Sequence, residues 1–145
     1  MKLTLQIKLL PDYDKSKSLL ATMKESNRAC NVISGYAWTH KVFNQFKIHK
    51  GVYHAIRKSF NLSAQSVVRC ISKVADSYKL DKKKQRAFKL LGAITYDVRI
   101  LSYNVEKRIA SLWSVDGRLK IPFVCHNEKF LPYIKGEADL ITKNG

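Results

Sequence analysis

The first ten residues alternate between apolar and polar side chains. Leucine or isoleucine occupies positions 3, 5, 7 and 9, and lysine, threonine or glutamine lies between them. A period of two is typical of a strand with one buried face. Pro11 and Asp12 interrupt the alternation, so the sequence predicts a strand over residues 1–10.

Three segments between residues 11 and 90 have the period of a helix. The first begins near Lys15 and places its apolar residues on one stripe, which Asn27 interrupts. A short second helix is predicted over Val52 to Phe60. The clearest helix covers Ser63 to Tyr78, and its solvent side carries a polar ridge at helical spacing. This polar ridge consists of Gln65, Arg69, Ser72 and Asp76.

The period returns to two after Gly92. It predicts strands over residues 94–100, 109–115 and 118–123. Asp116 and Gly117 separate the last two strands, which is a strong hairpin signal. Because Pro122 cannot donate a hydrogen bond to a neighbouring strand, we expect the third strand to be an edge strand or to end there.

The order of strand, helices and strands predicts an α+β fold. The economical arrangement pairs the N-terminal strand with the C-terminal strands in one sheet or small β-barrel. We therefore expect residues 1–10 and 91–145 to form a β domain, into which residues 11–90 insert as a helical bundle. Residues 137–143 indicate a further strand before the turn signal Asn144-Gly145, which predicts a fragment that lacks the returning strand.

Charge narrows the range of partners. The 145 residues include 27 lysines and arginines but only 11 aspartates and glutamates, a formal net charge of +16. A polyanion relieves the self-repulsion of such an excess, so nucleic acid is the leading partner and a membrane surface the second. The sequence has no apolar run of about 18 residues and no secretion signal. We therefore expect a cytoplasmic protein without a membrane partner.

Residues suited to catalysis or metal binding are scattered. The three cysteines form no CxxC pair, which favours small core residues over a metal or redox role. The four histidines lack the spacing of a zinc site or a triad. The pairs Asp12 with Asp14 and Glu137 with Asp139 have no third ligand. We expect no catalytic residue, metal site or cofactor in this chain.

Two sets of polar residues are candidates for nucleic-acid contact. In the polar ridge, Gln65 can pair with adenine and Arg69 with guanine or a phosphate, although a solvated helix face is favoured from pattern alone. The second set is the basic stretch of residues 79–89, for which the overall charge favours phosphate contact. Four aromatic residues near the end of the first helix are more typical of a core than of base stacking: Tyr36, Trp38, Phe43 and Phe46.

Four segments, in this order, carry a resemblance to a known family. They are the opening strand, Arg28 to Asn31, Leu62 to Tyr78, and Asp116 to Pro122. Together they resemble the N-terminal part of the TnpB (OrfB) transposase-related proteins of insertion sequences, relatives of type V CRISPR effectors. The resemblance covers essentially the whole chain.

The resemblance implies a wedge-like, oligonucleotide-binding-like β-barrel interrupted by a helical recognition bundle. A RuvC-type nuclease domain with a zinc finger would follow. Guide RNA from the transposon end would direct the prokaryotic protein to double-stranded DNA, where the front half reads a short flanking motif. The nuclease ligands, with their divalent metal and zinc, would lie beyond residue 145, so this chain itself is not expected to be an enzyme.

The resemblance also implies roles for individual residues. Gln65 corresponds to a glutamine that contacts the flanking DNA motif, and His49 and Asn61 lie near other motif-contacting positions. We expect Arg69 to bind the same motif. Residues 94–102 and the basic stretch would face duplex or guide RNA. The expected backbone-binding residues are Lys79, Lys82, Lys83, Lys84, Arg86, Lys89 and Arg99.

Two other functions stay open at this point. The helical block could be a conventional helix-turn-helix domain of a transposase, which binds duplex DNA without a guide. The chain could also be a non-catalytic regulatory or degenerate fragment that assembles with a separate nuclease half.

Overall fold

A computed structural model describes residues 4–134 and 137–142, and the expected turn at Asn144-Gly145 lies outside them. The α+β class predicted from the sequence is confirmed. The elements in chain order are β1 (Ile7–Leu9), α1 (Tyr13–His40), α2 (Gln45–Ser59), α3 (Ala64–Leu80), β2 (Ile94–Tyr96), β3 (Leu101–Asn104), β4 (Ile109–Ser114), β5 (Gly117–Cys125), a 3₁₀ helix (Glu128–Tyr133) and β6 (Ala138–Leu140).

Each α-helix begins at a side chain that caps its free backbone amides. Asp12 accepts a hydrogen bond from Lys15 N at the start of α1, and Ser63 accepts one from Ser66 N at the start of α3. Asn44 caps α2 by accepting from the first amides of that helix. Because this cap lies well before Val52, the predicted start of the second helix is wrong.

The three helices pack around one core. Ile33 of α1, Ile48 of α2 and Ile71 of α3 are fully buried in it. Gly51 allows α1 and α2 to approach closely, since a Cβ at this position would lie 2.1 Å from the Tyr36 hydroxyl oxygen. The helices therefore form one packed bundle, as the apolar periodicity predicts.

Four strands form an antiparallel sheet in the order β1-β5-β4-β3. Ile7 lies opposite Cys125, which confirms that the N-terminal strand joins the C-terminal strands. Strands β2 and β6 form a separate two-stranded sheet. Over the described ranges neither sheet closes on itself, so the predicted small barrel is not confirmed. The inner face of the larger sheet packs on Leu19 and Met23 of α1 in a second core.

The alternation over residues 94–100 is not one strand. β2 ends at Tyr96, and Asp97 begins a turn in which its carboxylate accepts a hydrogen bond from Arg99 N at 3.0 Å. Val98, which the alternation places on the same strand face as Ile94 and Tyr96, is 67% exposed on this turn. The chain then enters β3, a strand that was not predicted. Apolar and polar residues alternate through this turn as well, so the alternation does not show where one strand ends and the next begins.

Pro122 lies in a central strand, so the prediction of an edge or a strand end is wrong. β5 runs between β1 and β4 and continues to Cys125. Pro122 lies opposite Ile109, the first residue of β4, and its carbonyl accepts from Leu10 N at 2.8 Å. The N and the carbonyl of one strand residue point to the same neighbour, so the missing N–H faces Leu10, where β1 has already ended, and no bond within the β1–β5 pair is lost.

Residues 81–93, named the strap here, form no regular element and lie against α1. The Asn31 side chain accepts from Phe88 N at 2.8 Å and donates to Phe88 O at 3.0 Å. Asn27 Nδ2 donates to the carbonyls of Leu90 and Gly92 at 3.0 and 2.9 Å. These two asparagines of α1 therefore form hydrogen bonds with backbone groups of the strap, as a neighbouring strand would.

No helix within the described ranges combines the length and the apolar character needed to cross a lipid bilayer.

Candidate nucleic-acid interface

Three of the predicted contact residues meet around one carboxylate. Arg69 Nε lies 3.4 Å from Asp97 Oδ2, and the Gln65 side-chain amide donates to the same oxygen. Arg99 Nη1 donates to Gln65 Oε1 at 3.2 Å. Both ends of the Gln65 amide are therefore occupied by residues of the turn after β2.

A second carboxylate neutralises Arg69. Arg69 Nη1 lies 3.2 Å from Glu137 Oε1, and only 20% of the Arg69 side chain is exposed. The Asp97 side chain is 15% exposed, so this ion pair is largely shielded from water. In the described conformation Gln65 and Arg69 join α3 to the turn after β2. Contact with base edges requires these two residues to exchange partners.

The other two motif-binding candidates lie elsewhere. Asn61 donates from its backbone N to Glu25 Oε2 at 2.9 Å and from Nδ2 to Val115 O at 3.0 Å. The His49 ring stacks on Tyr53 of α2, with centroids 4.6 Å apart and planes 8° from parallel. The structure therefore brings together Gln65, Arg69 and Arg99, and it places Asn61 and His49 in other contacts.

The basic stretch contains both paired and unpaired cations. Lys79 lies 3.3 Å from Asp76, and Arg86 lies 3.6 Å from Asp81. The remaining predicted backbone-binding residues of the stretch are exposed, and none forms an ion pair within the described part of the chain. They are Lys82, Lys83, Lys84 and Lys89.

The backbone that carries these lysines is held to the bundle. Tyr78, which is fully buried, accepts from Arg86 N at 3.1 Å, and Ser34 donates to Arg86 O. Lys73 Nζ donates to Ala93 O at 2.6 Å. The strap, which includes most of the basic stretch, therefore presents its lysines from a backbone fixed to α1 and α3.

An open groove of about 490 Å³ was not predicted from the sequence. It lies between α1, Asn61 and the turn that joins β4 to β5, and Lys17, Lys24 and Arg28 line one side of it. Arg28 lies 3.8 Å from Glu25. The spacing i, i+7 and i+11 places the three cations on one face of α1, which is the sequence signal that could have identified it.

Helix α2 is the second surface that was not predicted. Residues 45–59 contain no aspartate or glutamate, and their lysines and arginine are exposed.

The prediction that the four aromatic residues near the end of α1 belong to a core is confirmed in part, because Tyr36, Trp38 and Phe43 pack against the bundle core. Phe46 is the exception, since it is 81% exposed at the start of α2.

The cysteines are buried and free, which confirms their prediction as small core residues. Cys70 Sγ lies 3.6 Å from Ser26 O, and Cys30 Sγ lies 3.9 Å from Cys70 O. The neighbouring Cys30 and burial raise the pKa of the Cys70 thiol. Cys70 is therefore protonated at neutral pH and a poor nucleophile.

Three of the four residues in the two acidic pairs have structural partners. Asp12 caps α1, Glu137 pairs with Arg69, and Asp139 accepts from Thr95 Oγ1 at 3.0 Å. Among residues 4–134 and 137–142, no three histidine, cysteine or acidic side chains are grouped so that they could hold a metal ion.

The comparisons with known proteins add no family to this geometry. No protein-family model matches the chain. No curated protein matches its sequence either. The likeness to TnpB proteins thus stays a prediction that rests on the four sequence segments.

Proposed function

We propose that this chain is the nucleic-acid-binding N-terminal module of a TnpB-like, RNA-guided DNA endonuclease. It binds guide RNA and the double-stranded DNA motif that flanks the target, in the cytoplasm and on the nucleoid of a prokaryotic cell. A C-terminal nuclease domain, with its divalent metal and zinc, performs the cleavage.

The observation that carries this proposal is the distribution of unpaired positive charge. The described ion pairs use five of the basic residues: Arg28, Arg69, Lys79, Arg86 and Arg108. Exposed lysines without an ion pair in the described ranges lie along the groove on α1, on α2 and on the strap. Each can replace a counterion at a phosphate, and release of these counterions drives binding to nucleic acid.

The salt dependence of binding tests this proposal. We expect the purified chain to bind a labelled single-stranded RNA and a labelled duplex DNA at low ionic strength, as measured by fluorescence anisotropy. With about five phosphate contacts, duplex affinity falls roughly 500-fold between about 50 and 200 mM salt. Absence of binding to both nucleic acids at the lower salt concentration would contradict the proposal.

Replacing Gln65 by alanine tests the reading of the flanking motif. We expect Gln65→Ala to reduce discrimination among flanking sequences by about 5- to 30-fold, because one two-pronged base contact is lost. RNA affinity should be almost unchanged. Ser72→Ala, on the same ridge, is the matched control. An equal loss of affinity for every flanking sequence would show that Gln65 acts only through its contacts with Asp97 and Arg99.

A conventional helix-turn-helix domain is the second candidate, and the connection between α2 and α3 favours it. Only four residues, 60–63, join the two helices, as in the turn of that motif. The carboxylates of Asp97 and Glu137 argue against a helix-turn-helix, because both pair with Arg69 in the first turns of α3. A shift assay with duplex alone and with duplex plus RNA separates the two functions. Sequence-specific binding of duplex alone, unchanged by RNA, favours the helix-turn-helix.

A further inference from the structure

Helix α2 carries aromatic rings and cations along one line. Phe46, Lys50, Tyr53 and Arg57 are spaced i, i+4, i+7 and i+11, which places them on one face of the helix. A separate face packs into the bundle core through Ile48, Val52 and Ile56. Tyr53 of this line also packs against the bundle core, whereas Phe46, Lys50 and Arg57 are exposed.

The two rings of this line differ in exposure. Phe46 is 81% exposed, although phenylalanine is among the residues most often buried. Tyr53 is half-buried, and its ring is stacked on that of His49, which lies next to the line. The line thus offers one free ring and one preformed stack, which are the features on which nucleobases stack.

The charges of α2 have no acidic partner among the described residues. The helix carries Lys47, Lys50, Arg57 and Lys58, and it has no acidic residue. None of these four cations takes part in an ion pair in the part of the chain that is described. Arg69 of α3 and Arg86 of the strap, in contrast, are both held by carboxylates.

We infer that α2 is a platform for single-stranded nucleic acid, an inference that rests on the proposed function. Bases stack on Phe46 and beside the His49–Tyr53 pair, while Lys50, Arg57 and their neighbours hold the phosphates. A duplex keeps its bases inside and offers only its backbone to this surface. The rings therefore add affinity for single strands alone, by about 1–3 kcal/mol for each stacked base.

Substitution of Phe46 in the full chain tests the platform. The ligands are labelled 12-nucleotide oligouridine and oligodeoxythymidine, which distinguish RNA from DNA, and a duplex of equal length. We expect Phe46→Ala to weaken single-strand binding by about 5- to 150-fold and to leave duplex binding unchanged. Because Phe46 is exposed, the melting temperature should not change. Tyr133→Ala, at an exposed ring of the 3₁₀ helix, is the control and should change neither affinity.

Two further variants separate stacking from simple apolar contact. Phe46→Trp should retain single-strand binding, whereas Phe46→Leu should behave like Phe46→Ala because it keeps apolar surface without a ring. Wild-type affinity for Phe46→Leu would overturn the inference. An oligonucleotide with 5-bromouracil should cross-link on irradiation to the peptide that contains residues 46–53. Cross-links found only in other peptides would also overturn it.

The outcomes also separate the platform from the proposed function. A chain that binds RNA and duplex DNA but is indifferent to Phe46→Ala refutes the platform and leaves the proposed function standing. A chain that binds neither nucleic acid refutes both.

Discussion

We expect the Asn27→Ala variant to unfold with a free energy about 3 kcal/mol below that of the wild-type chain. Asn27 is fully buried, and its side-chain amide donates to the carbonyls of Leu90 and Gly92. Its Oδ1 accepts from Lys73 Nζ at 2.9 Å. Alanine removes these contacts together and leaves the carbonyls of Leu90 and Gly92 without a side-chain donor from the described residues.

Denaturation in guanidinium chloride, followed by circular dichroism, measures this loss. Val32→Ala is the control on the same helix, because Val32 is exposed, and it should cost less than about 0.5 kcal/mol. Asn27→Asp keeps an acceptor for Lys73 but loses the donors to the strap, so it should also be destabilised. A loss below about 1 kcal/mol in both Asn27 variants would show that the strap does not depend on this side chain.

We expect the Asp97→Asn variant to bind duplex DNA roughly tenfold more tightly than the wild-type chain at low salt, a gain of about 1.4 kcal/mol. Asparagine keeps an acceptor for Arg99 N, but it removes the charge that holds Arg69 at 3.4 Å. Arg69 Nε is buried and, among described residues, makes no hydrogen bond. A phosphate can therefore replace the weakened partner more readily.

Asp139→Asn is the matched control for Asp97→Asn. It removes one negative charge from the neighbouring strand β6 and leaves the contacts of Arg69 intact. Anisotropy with a labelled duplex should show a smaller gain for this control. Equal gains would mean that only net charge matters, and a loss of affinity for Asp97→Asn would show that the ion pair itself supports the binding surface.

The elements predicted correctly are those that local physics determines. α3 has a capping serine and a full apolar stripe. β4 and β5 flank a two-residue turn at Val115 and Asp116, one position before the predicted Asp116-Gly117, and Gly117 begins β5 with the positive φ that glycine favours. The range predicted for α2 is shorter than the observed helix, because the lysines and His49 of its first turns interrupt the apolar stripe. Its start depends on the cap at Asn44, a single residue with no periodicity.

The candidate site was less predictable because long-range contacts determine it. The spacing of Gln65 and Arg69 shows that they share a helix face, but Asp97, which occupies both, lies about thirty residues later in the sequence. In the same way, Asn27 in an apolar stripe gives no sign of which backbone it binds. Periodicity assigns a residue to a face, and tertiary structure decides what covers that face.

The pairing of β1 with β5 has a consequence for synthesis on the ribosome. Ile7 is translated more than one hundred residues before Cys125, its partner in the sheet. At about 5–20 residues per second, roughly 5–20 s pass between the synthesis of β1 and that of β5, and during this time the apolar side chains of β1 lack their partners in the sheet. The three helices between them can assemble during this interval, because all of their residues precede β5 in the chain. The four-stranded sheet therefore forms only after the helices between its strands have been made, and a nascent chain stalled before β5 exposes an unpaired strand to chaperones and to aggregation.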